Sequence, residues 1–230
     1  LISEYMKKPA PYRSIAVNEY LALRDREPQE IILRSKRQPR EFYARSALDL
    51  APDLLGLLLV HQTGDGITAG LITETEAYAG PEDRACHGYN MRRTQRNETM
   101  YGPPGIAYVY FVYGMHYCFN VVAFREGIPH AVLVRSVEPV LGEDIMLRRR
   151  KGKLPLATGP GRLCQAMGIS SHHNGADLVT GNLYIAKPPG KDLTRELEII
   201  TTPRIGIDYA GEARHYPWRF MLSPSSPQGG

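Results

Sequence analysis

Glu74, Glu76 and Tyr78 stand at alternate positions in the run ETEAY. On an extended strand that spacing puts all three on one face, roughly 6.6 Å apart. A carboxylate beside a phenol can act as a general base that takes a proton from water; a surface acid at a strand end fits the same spacing. Two carboxylates also raise the chemistry of sugar hydrolysis, although neighbours on one strand seldom straddle a bond from opposite sides. Further on, YVYFVYGMHYCFN runs from Tyr108 to Asn120, and its tyrosines could stack a planar ligand or simply pack a strand. Arg92, Arg93 and Arg96 lie between these two stretches, and Arg148, Arg149, Arg150, Lys151 and Lys153 form a second basic cluster. Either cluster could meet phosphates or sit solvated. Taken together, the residues suggest a pocket for a flat ring beside a groove for an acidic backbone.

The elements that must position them follow from pattern. SALDLAPDLLG reads as a helix with Asp49 as N-cap and Pro52 in the first turn. Leu57–His61 and Ile67–Tyr78 read as a hairpin about Gly64-Asp65-Gly66. The loop 80–105 is too long to be a plain connector, and His87 within it could stack, donate a hydrogen bond or anchor the loop. Ile106–Val112 and His116–Phe124 read as a second hairpin. With a three-residue loop, Tyr108 faces Asn120 and Tyr110 faces Cys118; a two-residue loop would send Asn120 to the opposite face. Tyr113 and Met115 then occupy the tip, where a bulky ring suits a wedge between stacked bases or folds onto a neighbouring loop. Ala131–Val137 reads as a strand ending near Arg135, which could pair with Glu76 or Glu138. Leu141–Arg150 reads as a helix. GPGRLCQAMGI reads as a glycine-rich turn opening another helix, whose N–H groups, Gly161 and Arg162 could hold a phosphate. Leu183–Ile185, Leu197–Thr201 and a last strand complete the pattern. The fold class expected is α+β: a single domain around a curved, mainly antiparallel sheet with peripheral helices and a protruding hairpin. Residues 1–42, punctuated by prolines and with a short helix at 18–26, read as a flexible extension, 43–222 as the working domain and 223–230 as a disordered tail.

Bulk properties bound the rest. The chain has 230 residues and a formal net charge of +4, compatible with a polyanionic partner but weak as a signal on its own. No apolar run reaches the roughly 18 residues of a membrane span, and the opening residues lack a secretory core, so an intracellular protein with no membrane partner is expected. Three scattered cysteines, without a CxxC pair, favour neither a disulfide framework nor a zinc site. His172, His173, Asn174 and Asp177 read as a polar loop, not as metal ligands. No metal and no cofactor are expected.

TETEAYAGPEDRACHG, YVYFVYGMHYCFNVV, VLVRSVEP, GPGRLCQAMGI and PRIGIDYAGEARHYPWRF, in that order over about residues 46–220, resemble the alkyladenine (methylpurine) DNA glycosylase family. The resemblance implies an enzyme that flips a damaged purine out of double-stranded DNA and hydrolyses its N-glycosidic bond. It implies Glu76 as general base with Arg135 beside it, and a base sandwiched by Tyr78 and His87 on one side and Tyr110 on the other. It further implies Tyr113 filling the gap in the duplex and Asn120 discriminating against the guanine 2-amino group. His116 departs from members that carry an aromatic after YGM. With no lysine in these motifs to act as nucleophile, a monofunctional, monomeric enzyme leaving an abasic site is expected. Two other readings compete: a non-catalytic damage-binding protein on the same scaffold, and a carbohydrate hydrolase using Glu74 and Glu76.

Overall fold

The computed structural model describes residues 28–112, 114–189 and 198–223; the short helix read at 18–26 and the intercalating role of Tyr113 lie outside them. The organising element is a 14-residue strand, β3 (Gly66–Ala79), whose burial on both faces over Thr68–Thr73 reflects its apolar sequence. Its start pairs antiparallel with β2 (Leu58–Thr63) across the two-residue turn Gly64-Asp65, and its other edge pairs with β6 (His130–Leu141) over nearly its whole length. The hairpin β4 (Ala107–Val112) and β5 (His116–Ala123) continues the sheet beyond β6. β7 (Leu183–Lys187) lies beyond β2, and the two-residue β1 (Lys36–Arg37) ends that edge. Where β2 stops, β9 (Arg219–Leu222) takes its place against Glu74–Glu76 and carries β8 (Ile199–Thr202). Every pairing among the described residues is antiparallel, and the register of β3 against β6 shifts on both sides of Glu74, bending the sheet there. The architecture is the α+β one, with an open, curved sheet and a protruding hairpin.

Helices cover the sheet: α1 (Pro28–Arg34), α2 (Arg40–Tyr43), α3 (Ala47–Asp53), α4 (Glu143–Arg149) and α5 (Pro160–Met167). The cap of α3 is Ser46, not Asp49: the Ser46 hydroxyl accepts the Asp49 N–H at 3.2 Å. Pro52 is therefore its sixth residue, beyond the first turn. α4 starts two residues later than the sequence suggests, because Leu141 is still paired to Ala69 and Gly142 turns the chain with φ 75°. α5 begins where the GPG turn places it.

Of the stretch read as a flexible extension, residues 28–42 pack onto this body. Ile31 and Ile32 are buried in the main core, and Lys36 and Arg37 pair with β7. Two buried isoleucines contribute about 1.5–3 kcal/mol each, enough to dock a seven-residue helix whose charges hide its apolar side in the sequence. Ser223, at the start of the expected tail, is buried and donates its N–H to Glu198 O at 2.8 Å. Among the described residues no helix is long and apolar enough to cross a membrane.

Candidate active site

Glu76 is fully buried, which removes the surface-acid reading. The Tyr78 hydroxyl donates to its Oε2 at 2.9 Å and the Ile205 N–H to its Oε1 at 2.8 Å. Arg135 bridges the two acids: its Nε donates to Glu74 Oε1 at 2.9 Å and its Nη1 lies 3.4 Å from Glu76 Oε1. Arg219 also donates to Glu74 Oε1, at 2.6 Å. Glu138 is thus not the partner that Arg135 takes in these contacts. Burial pushes the Glu76 carboxyl above its ordinary range, helped by Glu74; Arg135, the Ile205 N–H and the Tyr78 hydroxyl pull the other way. Burial likewise raises the Tyr78 phenol well above its usual value, with the Glu76 charge adding to it, so it stays protonated and donates.

Over this floor the β4–β5 hairpin takes the three-residue-loop register: Tyr108 opposite Asn120, Tyr110 opposite Cys118. Tyr108, Tyr110 and Asn120 thereby line one cleft of about 640 Å³, together with Tyr78, His87 and Arg135. Asn120 is nearly buried and its amide donates to Tyr108 O at 3.1 Å. His87 Nδ1 shares a hydrogen bond with the Tyr108 hydroxyl at 2.9 Å, and burial, with Arg96 nearby, favours its neutral form. The His87 and Tyr110 rings touch edge to face, centroids 4.8 Å apart. A purine between two rings separates them by about 7 Å, two van der Waals contacts. The His87 and Tyr110 rings stand closer than that in this structure.

The rim is basic and apolar. Arg96 lines the cleft and donates to Phe111 O at 3.1 Å. Arg93 instead pairs with Glu98 at 2.5 Å and lies over the Tyr101 ring, while Arg92 is exposed on the same loop. Gly161 and Arg162, at the start of α5, line the opposite wall, and Arg162 donates to Thr158 O at 3.2 Å. His116 packs on Gly161 so closely that an added Cβ would sit 2.9 Å from its ring. Met115 and Phe111 expose 69% and 47% of their surface at the hairpin's end, an apolar tip that folding alone does not explain.

The second basic cluster divides. Arg148 pairs with Asp144 and Arg149 with Asp65, whereas Arg150 is buried, bonds the neutral Gln165 at 2.6 Å and lines the cleft beside Arg162. Sequence reasoning placed Arg150 only within a basic cluster, and it missed Ile205, which lines the cleft, and the buried Asp83 and Arg204. The signal available was thin: GPEDRA and PRIGIDY each carry charged residues beside glycine and proline, and Asp83 and Arg204 stand 121 positions apart. The three cysteines are free and buried. Among the described residues no group of three or more His, Cys, Asp or Glu side chains gathers as a metal site. His173 bonds His61 at 3.2 Å and caps its own turn through Ser170.

Against known proteins, residues 41–226 match the sequence model described as "Methylpurine-DNA glycosylase (MPG)". The chain is 48% identical over 200 residues to a "Putative 3-methyladenine DNA glycosylase" of Desulfitobacterium hafniense, covering 83% of this chain and 97% of that one. It is 48% identical over 190 residues to a protein of the same name in Chlamydia felis, covering 80% and 95%. A Bacillus cytotoxicus protein, again of that name, is 46% identical over 195 residues, covering 81% and 96%. Fold, cleft and relatives define a hydrolase of N-glycosyl bonds in DNA. The chain belongs to the methylpurine-DNA glycosylase family.

Proposed function

We propose that the protein flips alkylated or deaminated purines out of duplex DNA and hydrolyses their N-glycosidic bond with a water activated by Glu76, leaving an abasic site. The observation that carries this reading is a fully buried carboxylate, held by three donors, under a cleft walled by tyrosines. Glu76 takes a proton from water as its oxygen bonds to C1′. The glycosidic bond breaks with its electron pair going to the purine: a cationic alkylpurine leaves neutral, and a deaminated purine leaves as an anion that takes a proton from solvent water. The buried carboxylate also stabilises the positive charge that develops on the sugar, and Arg135 keeps it ionised and oriented.

Tyr78 and His87 on one side and Tyr110 on the other stack the flipped base, the His87 and Tyr110 rings parting to admit it; electron-rich rings add a cation–π contribution for cationic purines. Asn120 screens the ring edge. The hairpin end, with Met115 and Tyr113, fills the space the base leaves, since unstacking costs a few kcal/mol that a wedge offsets. Arg92, Arg93, Arg96, Gly161 and Arg162 meet the DNA backbone, joined by Arg150. Arg93 must exchange Glu98 for a phosphate to do so. No lysine lines the cleft among the described residues, which supports the monofunctional course. The working unit is the packed body, with residues 28–42 included because Ile31 and Ile32 belong to its core. One chain supplies the whole cleft, so the reading needs no second copy.

The test is single-turnover base release from duplexes bearing one defined lesion, wild type beside Glu76→Gln. The variant should keep its affinity for the lesion duplex and lose about 10²–10⁴-fold in rate. Equal rates would remove Glu76 as the base. Binding without release by the wild type would leave a damage-binding protein.

A further inference from the structure

Arg204 and Asp83 form an ion pair in which both side chains are 0% exposed, with Nη1–Oδ2 at 2.5 Å and Nη2–Oδ1 at 2.8 Å. Desolvation commonly cancels the attraction within such a pair, so what it holds in place matters more than its strength. Arg204 donates further to Ala77 O at 2.8 Å, on the strand of Glu76, and to Ala213 O at 3.3 Å. Asp83 accepts the N–H groups of Ala79 and Ala85 at 3.2 and 3.0 Å, fixing the loop that leaves β3. The guanidinium carbon sits 4.8 Å from the Tyr78 ring centre and 4.9 Å from that of Trp218. The next residue is Ile205, whose N–H bonds Glu76.

We propose that the Arg204–Asp83 pair is a positioning device for the reaction: it aims the Ile205 N–H at the Glu76 carboxylate and backs the Tyr78 ring. Neither residue lines the cleft, so both act through others, and the inference rests on Glu76 being the base. An N–H donated to a carboxylate favours its ionised form. If the 204–205 segment loosens, that bond is lost and Glu76 holds its proton to higher pH. The other groups facing Glu76 stay in place: Glu74 and Tyr78 on β3, Arg135 on β6, Tyr110 and Cys118 on the hairpin; Arg204 itself adds a cation that attracts the Glu76 charge. Arg219 on β9 reaches Glu74 instead.

The experiment is single-turnover base release as a function of pH for wild type, Arg204→Lys and Asp83→Asn, with thermal melts on each. The acid limb should move up by about half a pH unit or more in Arg204→Lys, which keeps the charge near Glu76 without the two-pronged contact, roughly a threefold loss of ionised Glu76 at fixed low pH. The rate deficit should close as pH rises. Asp83→Asn also removes an anion, which by itself favours ionised Glu76, and should shift less. A deficit equal at all pH values, with the limb unmoved, would mean a purely structural pair and overturn the proposal. Should the variants not fold, the wild type decides by NMR. The Ile205 amide proton should titrate with the midpoint of the acid limb, and this titration should vanish in Glu76→Gln; an amide that does not move overturns the proposal. Release by Glu76→Gln at the wild-type rate would instead remove the base assignment, whatever the Ile205 amide does.

Discussion

At the scale of single residues the site turns on how a buried acid is kept useful. Burial alone favours the protonated form of Glu76, and three donors oppose it. Its folded pKa remains raised, so the ionised, active form is lost as pH falls through a value above the ordinary carboxylate range. The rate should therefore show an acid limb there, and Tyr78→Phe, which deletes a donor to the ionised form, should move that limb further up. A pH–rate profile in which Tyr78→Phe leaves the limb unchanged would show that the 2.9 Å contact does not act on Glu76 in solution. Asn120 poses a steric question. It is held by Tyr108 O, so its amide cannot simply swing aside for a larger ring edge. Asn120→Ser should raise release of 7-methylguanine relative to 3-methyladenine by about tenfold, the scale of one small group in a fitted pocket. Paired single-turnover assays on the two lesions measure it, and an unchanged ratio would remove the gate.

Among elements, the hairpin and the start of α5 form one unit at the rim of the cleft because they are packed together, not merely adjacent. The contact of His116, beside the hairpin's turn, with Gly161 closes that end of the hairpin onto the helix start. A methyl group on Gly161 would push the two apart, and overpacking of this kind costs about 1–3 kcal/mol. Gly161→Ala should thus weaken lesion-duplex binding by about fivefold or more while leaving the fold intact. Adding His116→Ala should restore most of the loss by making room, which an equilibrium binding titration of the double variant tests. The hairpin's register was legible in the sequence because strand alternation and the three-residue loop leave one solution that puts Tyr108, Tyr110 and Asn120 together. The significance of His116 was not, since nothing local says which glycine it will meet 45 positions later.

At the scale of the whole molecule, what the sequence conveyed was periodic or punctuated: strands by alternation, helices by caps and glycine turns, the acid and tyrosines of the site by clustering. What it hid was long-range pairing. Arg204 with Asp83, Arg219 with Glu74 and Ile31 with the core join residues far apart in the chain, and the bulges beside Glu74 leave no pattern in the residue types either. His61 with His173 is of this kind too, 112 residues apart. His61 is buried, bonds Met167 O at 2.7 Å through Nδ1 and meets His173 through Nε2. Burial lowers both pKa values, for His61 with help from His173 and Arg149. A histidine whose folded pKa is lowered contributes stability that is complete above its unfolded value of about 6.5 and is lost as pH falls below it. In that window the unfolded chain binds the extra proton, at a cost of about 1.4 kcal/mol per pH unit for each proton. That corresponds to roughly 2–4 °C in Tm per kcal/mol for a chain of this size. Thermal melts from pH 7.5 down to 5.5 should therefore fall, and they should fall less steeply in His61→Gln, which keeps an amide at the site but cannot take a proton. If the two slopes coincide, the acid sensitivity lies elsewhere in the fold and the histidine pair is only packing.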